Sequence, residues 1–123
     1  RIYGSDINPA AIRAAKANAE EAGVDDCIRF SVADVSSLRT KALSGVMITN
    51  PPYGERIGDS HAIEDIYKAY RSFFQENPTW SLFVVTSDKT IEQKAMARPA
   101  DRRRKLYNGR LEICYYQFHG EKV

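Results

Sequence analysis

The sequence predicts an α/β chain, with a mostly parallel sheet, flanking helices and a closing antiparallel hairpin. Three observations lead there. Short β-rich runs alternate with helical stretches, the order that builds parallel sheets. Asn108-Gly109 separates two β-rich runs near the end, the strongest short-range hairpin signal. Asp6, Asp34 and Asn50 each fall at the carboxyl end of a predicted strand, where open α/β sheets bind ligands.

Taken in order, Arg1 to Ser5 reads as a strand ending at Asp6. Asn8 is then an N-cap, Pro9 occupies the first helical position, and Gly23 stops an alanine-rich helix. Ala11, Ile12, Ala15, Ala19 and Ala22 form its small-residue face. Ile28 to Val32 alternates as a strand, and its run closes at Ala33-Asp34. A loop with room for one helical turn leads to Gly45-Val46-Met47-Ile48, an apolar run that reads as a buried strand. From His61 to Glu76 an amphipathic helix places Ile63, Ile66, Tyr67, Tyr70, Phe73 and Phe74 on one side. Asn77-Pro78 ends it, and Trp80 to Thr86 is the most strand-like run. Ser87 or Asp88 caps a short helix through Ala95. Arg98 to Arg104 reads as basic and irregular, before Lys105-Leu106-Tyr107, Asn108-Gly109 and Arg110 to Phe118 complete the hairpin.

The bulk properties exclude more than they select. The chain has 123 residues, 43% hydrophobic and 28% charged, with a net charge of +2, ordinary for a globular domain. That balance does not by itself call for nucleic acid. No run reaches the ~18 apolar residues of a membrane span. Cys27 and Cys114 are far apart in apolar runs and read as reduced, buried thiols of a cytosolic protein. His61 and His119 have no Cys or His partner at metal-ligand spacing. No linker or repeat divides residues 1–123.

The chemistry concentrates at Asn50-Pro51-Pro52-Tyr53. The prolines have fixed φ and no N–H, so the turn is stiff and rich in acceptors. With the Asn50 amide and the Tyr53 ring, it suits a planar –NH2 on a flat ring: the two hydrogens meet acceptors and the ring meets a stacking surface. An ordinary proline turn leaving a strand is the plainer alternative.

These residues resemble the Asn-Pro-Pro-Tyr motif of S-adenosylmethionine-dependent amino-methyltransferases, which methylate exocyclic amines of nucleobases or a glutamine amide. The resemblance implies a Rossmann-like class I methyltransferase fold from its second strand onward. Residues 1–123 would then be the C-terminal part of that domain, with its last strand inserted antiparallel beside the fifth. It implies that Asn50, Pro51, Pro52 and Tyr53 are catalytic, with Asn50 also at the cofactor. Asp6 would hold the cofactor ribose with Ile7 beside the adenine, and Asp34 and Val35 would bind the adenine edge. Each aspartate alone is also an ordinary strand-end turn residue. The family's glycine-rich loop is not in this sequence, and its place would be before Arg1.

The longer strings Asn50-Pro-Pro-Tyr-Gly-Glu-Arg-Ile57 and Arg104-Lys-Leu-Tyr-Asn-Gly-Arg-Leu-Glu112 look like bacterial ribosomal-RNA guanine-N2 methyltransferases with an N-terminal THUMP domain. That group is often labelled adenine-N6 DNA methylases. The implied target is guanine N2 in large-subunit rRNA. An adenine-N6 DNA methyltransferase and a non-catalytic RNA-binding module are the alternatives; a release-factor glutamine methyltransferase and a nicotinamide dehydrogenase fit the strings less well. Arg56 beside the motif and Arg102, Arg103 and Arg104 near the hairpin are candidates for RNA phosphate. The second group also suits a solvated edge strand.

If a central strand and the glycine-rich loop precede Arg1, residues 1–123 alone hold half a cofactor site. Titration of that fragment with S-adenosylmethionine is expected to show weak binding or none; micromolar binding by a monomer would overturn the expected topology.

Overall fold

The computed structural model describes residues 2–52 and 59–123. They form two compact units, Arg1–Leu38 and Arg39–Val123.

In the first unit, β1 (Ile2–Asp6) and β2 (Ile28–Val32) pair in parallel and α1 (Pro9–Ala22) connects them. The Asn8 side chain accepts the Ala10 N–H at 2.9 Å, so the predicted cap forms. At the other end Gly23 has φ 75°, the left-handed conformation that glycine adopts without strain. Gly23 and Val24 donate back to Glu20 and Ala19, which closes the helix as a Schellman motif. Ile12 and Ala19 are buried, Ala11 and Ala15 half-buried, and Ala22 lies exposed off the predicted face. The expectation of buried cysteines fails here. Cys27 ends a short 3-10 turn (Asp25–Cys27) and is exposed, with its Sγ 3.6 Å from Asp26 Oδ1; Cys114 is half-buried. An apolar run does not bury a side chain that falls in a turn.

The second unit holds β3 (Gly45–Thr49), α2 (Asp59–Glu76), β4 (Trp80–Thr86), β5 (Arg102–Asn108) and β6 (Leu111–Phe118), with sheet order β3-β4-β6-β5. β3 and β4 are parallel; β6 is antiparallel to both β4 and β5. The last strand therefore inserts beside β4, as expected. After β4 a single wide turn of π-helix, Glu92–Met96, replaces the expected short helix. Asp88 does not cap this segment: it accepts the Thr90 N–H at 2.9 Å and organises the turn before it, and the N-cap residue, Ile91, makes no side-chain cap bond.

One face of this sheet is sealed. Leu82, Val84, Thr86, Tyr116 and Phe118 alternate onto it and are at most 4% exposed. Against them pack Tyr67, Tyr70, Phe73 and Phe74 of α2, with Ile91 and Ala95. Phe73 meets Trp80 edge-on at 5.5 Å, a favoured aromatic arrangement. All the predicted core positions of α2 are buried except Ile66, which is half-buried.

The other face corrects the reading of β3 as a buried strand. Val46 and Ile48 are 51% and 76% exposed, because α2 covers only the face that carries Met47 and Thr49. The hairpin also differs in two respects. β5 starts at Arg102, inside the stretch expected to be irregular, since pairing with Gln117, Tyr116 and Tyr115 outweighs the poor strand composition of three arginines. Asn108 pairs with Leu111, so the two-residue turn is Gly109-Arg110 and not Asn108-Gly109. Gly109, with φ 64°, takes the first turn position, where a primed hairpin turn needs glycine.

Leu82 is fully buried at the centre of the sealed face. Leu82→Ala should lower unfolding free energy by about 2–5 kcal/mol, measured by urea titration with the fluorescence of the single tryptophan, Trp80.

Candidate active site

In the first unit, Asp6 and Asp34 stand together at the carboxyl ends of β1 and β2, where Ala33 N–H bonds the Asp6 carbonyl at 3.0 Å. Both are exposed and both organise turns. Asp6 Oδ1 accepts the Asn8 N–H at 2.8 Å, which leaves Oδ2 without a partner among the described residues. Ile7 beside it is 68% exposed. Asp34 Oδ1 accepts the Ser36 N–H at 2.9 Å and caps the 3-10 turn Val35–Ser37. The Ser36 backbone and side-chain hydrogen bonds hold the Asp34 carboxyl below its ordinary pKa. Val35 is half-buried.

In the second unit, Asn50 follows the last residue of β3 and is exposed, Pro51 is buried, and Pro52 is exposed. Tyr53 and Arg56 lie outside the described residues. A depression of about 440 Å³ opens here, lined by Ile48, Thr49 and Asn50 of the β3 end, Val85 of β4, and Tyr107 and Asn108 of the hairpin. It is an open depression of the surface and not an enclosed cavity. Tyr107 and Asn108 were read from the sequence only as hairpin residues. The topology explains their position. β5 and β4 are both antiparallel to β6, so β5 runs in the direction of β3 and β4 and its end lies at the same end of the sheet as Asn50. The signal available in sequence was an aromatic and an amide directly before a tight turn.

The pleat separates the hairpin cations. Arg103 and Lys105 share one face; Arg103 Nε is 2.8 Å from Glu92 Oε2, and Lys105 Nζ is 3.5 Å from Glu112 Oε1. Arg102 and Arg104 alternate onto the other face, which carries Asn108, and have no hydrogen bond or ion pair among the described residues. Arg98 is structural: it pairs with Asp101 at 3.2 Å, donates to the His119 carbonyl and lies over the Phe118 ring.

Below the depression two buried tyrosines of α2 reach the strand ends. The Tyr70 hydroxyl and Thr49 Oγ1 are 2.8 Å apart, and the Tyr67 hydroxyl donates to Asp88 Oδ2 at 2.6 Å. Burial pushes both tyrosines above their ordinary pKa. Burial also raises Asp88, but the hydrogen bonds from Thr90 and Tyr67 outweigh it and hold that carboxyl below its ordinary value. Among the described residues no cluster of His, Cys, Asp and Glu could hold a metal ion, and no helix is long and apolar enough to cross a membrane.

A parallel β–α core with an antiparallel strand inserted at its end, and polar residues at the strands' carboxyl ends, defines a class I methyltransferase fold. Residues 1–117 match the family model UPF0020, RMKL-like, methyltransferase domain. The chain belongs to that family. It is 38% identical over 126 residues to the ribosomal RNA large subunit methyltransferase K/L of Shewanella baltica, covering 100% of this chain and 18% of that protein. Among solved structures it resembles SMU.472, a provisionally named methyltransferase complexed with SAH (TM-score 0.90, 39% identity, 99% of this chain and 32% of that one). It also resembles a predicted N6-adenine-specific DNA methylase from Listeria monocytogenes (TM-score 0.84, 37% identity, 98% of this chain and 30% of that one). The chain spans 30% or less of the first curated relatives it matches.

The Asp88 geometry has an acid signature. A carboxyl whose folded pKa is depressed contributes stability above its unfolded value, ordinarily 3.8, and loses it as pH falls through the folded value. Asp88→Asn should therefore be less stable than wild type at neutral pH, with the gap closing on acidification below that value. Thermal unfolding across an acid pH series checks this; a gap that stays constant would contradict the assigned hydrogen bonds.

Proposed function

We propose that the protein carrying this chain is an S-adenosylmethionine-dependent methyltransferase acting on an exocyclic nucleobase amine, guanine N2 in large-subunit ribosomal RNA. The observation that carries the reading is the depression at the β3 end, which Asn50 lines together with Tyr107 and Asn108, in a chain of this family. The ribosomal RNA relative supports the substrate, and the SAH-bound neighbour supports the cofactor.

The residues of the first unit fit that cofactor. Asp6 offers an unpartnered carboxylate oxygen suited to ribose hydroxyls, and Ile7 exposes an apolar side chain beside it. Asp34 and Val35 would meet the adenine edge. When bound, S-adenosylmethionine supplies an electrophilic methyl group. An aromatic amine is a poor nucleophile because its lone pair is delocalised into the ring. The Asn50 side-chain oxygen and the Pro51 carbonyl would accept its two N–H bonds and favour the pyramidal form with a localised pair. Pro51 and Pro52 hold those acceptors in place, and Tyr53 would stack on a base displaced from its helix. Arg102 and Arg104, on the Asn108 face and with no ion pair among the described residues, would meet RNA phosphates with Arg56; Arg103 would have to leave Glu92 to join them. Upstream sequence, with a THUMP domain, would complete the enzyme.

The likeness to a DNA methylase favours a second reading, adenine N6 in DNA, because both targets are exocyclic –NH2 groups. Methyl transfer from labelled S-adenosylmethionine to ribosomal RNA and to DNA, with the full-length protein, separates the two. Product on rRNA guanine is expected. Product on DNA adenine would establish the alternative, and RNA binding without transfer would mark a non-catalytic module. In the same assay Asn50→Ala should cut kcat about a hundredfold or more with cofactor affinity unchanged. Asp6→Ala should instead weaken cofactor binding by about 1–3 kcal/mol, measured by calorimetry.

A further inference from the structure

α2 follows the Asn50 loop in sequence, and two of its tyrosines reach the carboxyl ends of β3 and β4. Tyr67 and Tyr70 are three positions apart and so share a helix face. Their ring centroids are 6.3 Å apart and they are 2% and 1% exposed. Their hydroxyls diverge. Tyr67 donates to Asp88 just beyond β4, whose backbone N–H bonds Thr86 Oγ1 at 3.1 Å. Tyr70 meets Thr49 Oγ1, on the residue directly before Asn50, at 2.8 Å.

A core tyrosine needs a partner for its hydroxyl, and phenylalanine would have filled the same space without one. Core packing thus accounts for the rings and leaves the oxygens to be explained. Thr49 occupies two settings at once: it lines the depression with Asn50 and its hydroxyl points into the core to Tyr70. A β3 residue with a part-buried, directional bond cannot rotate without breaking it. Asn50, one peptide further on, inherits that orientation.

We infer that Tyr70 is a positioning residue for methyl transfer: through Thr49 it holds the Asn50 amide at the angle the target amine requires. This rests on the reading of Asn50 given above. Tyr67 secures the same helix to the neighbouring strand end, so that α2 acts as a brace across both.

The test is a double-mutant cycle in the full-length protein, with kcat, KM for S-adenosylmethionine and RNA, and melting temperature measured for each variant. Tyr70→Phe and Thr49→Val should each lower kcat by about tenfold to a hundredfold, the scale of a misplaced reacting group. Both KM values should stay within about twofold. The double variant should be no slower than the slower single one, because the two changes remove the same bond. Thr49→Ser, which keeps the hydroxyl, should retain near wild-type kcat. A Tyr70→Phe enzyme with normal kcat per folded site, even with a lowered melting temperature, overturns the inference and leaves the site reading intact, as does strict additivity in the cycle. A wild-type protein that transfers no methyl group to any amine overturns both.

Discussion

The sealed face of the second unit depends on one contact: the aromatic side of α2 against the alternate residues of β4 and β6. Tyr67, Tyr70, Phe73 and Phe74 cover Leu82, Val84, Tyr116 and Phe118, and no described side-chain polar atom in this core is left without a hydrogen bond. Burial of several large side chains, at about 1.5–3 kcal/mol each, is the main favourable term available to the unit. It also sets direction. With α2 seated on one face, β3 and β4 must end on the same side as α2's tyrosine hydroxyls, and polar residues at those ends become neighbours.

The cations of the hairpin are divided by the pleat of β5. Alternate residues of a strand lie on opposite faces, so a run of basic residues divides in two. Arg103 and Lys105 meet carboxylates, whereas Arg102 and Arg104 share the Asn108 face with no ion pair among the described residues. Exposed pairs of this kind contribute at most about 1 kcal/mol to stability, so the division matters more for where free cations stand than for how firmly the hairpin is held. In the first unit the same economy appears at Asp6. One carboxylate oxygen fixes the entry to α1 through Asn8, and the other has no partner among the described residues.

Much of the fold was legible because its signals are local. Asn8, Pro9 and Gly23 bound α1 by hydrogen bonds and backbone angles that need no tertiary contact. The run Trp80–Thr86 and the aromatic spacing of α2 identify their elements by period alone. The misreadings share a cause. Three arginines look unlike a strand until Gln117, Tyr116 and Tyr115 pair with them. Asn-Gly looks like the turn until the pairing of Asn108 with Leu111 moves it by one residue. Val46 and Ile48 look buried, since an apolar run does not say how many faces are covered.

By itself the sequence determined the α/β class, the caps of α1 and the aromatic face of α2, because each follows from side-chain chemistry within a few residues. Only the tertiary structure decided that Tyr107 and Asn108 line one depression with Asn50, that Arg103 is paired while Arg102 and Arg104 have no ion pair among the described residues, and that Tyr70 reaches Thr49. Those relations join residues 11 to 58 positions apart, and strand order, register and pleat, which set them, are tertiary properties that no short window of sequence contains.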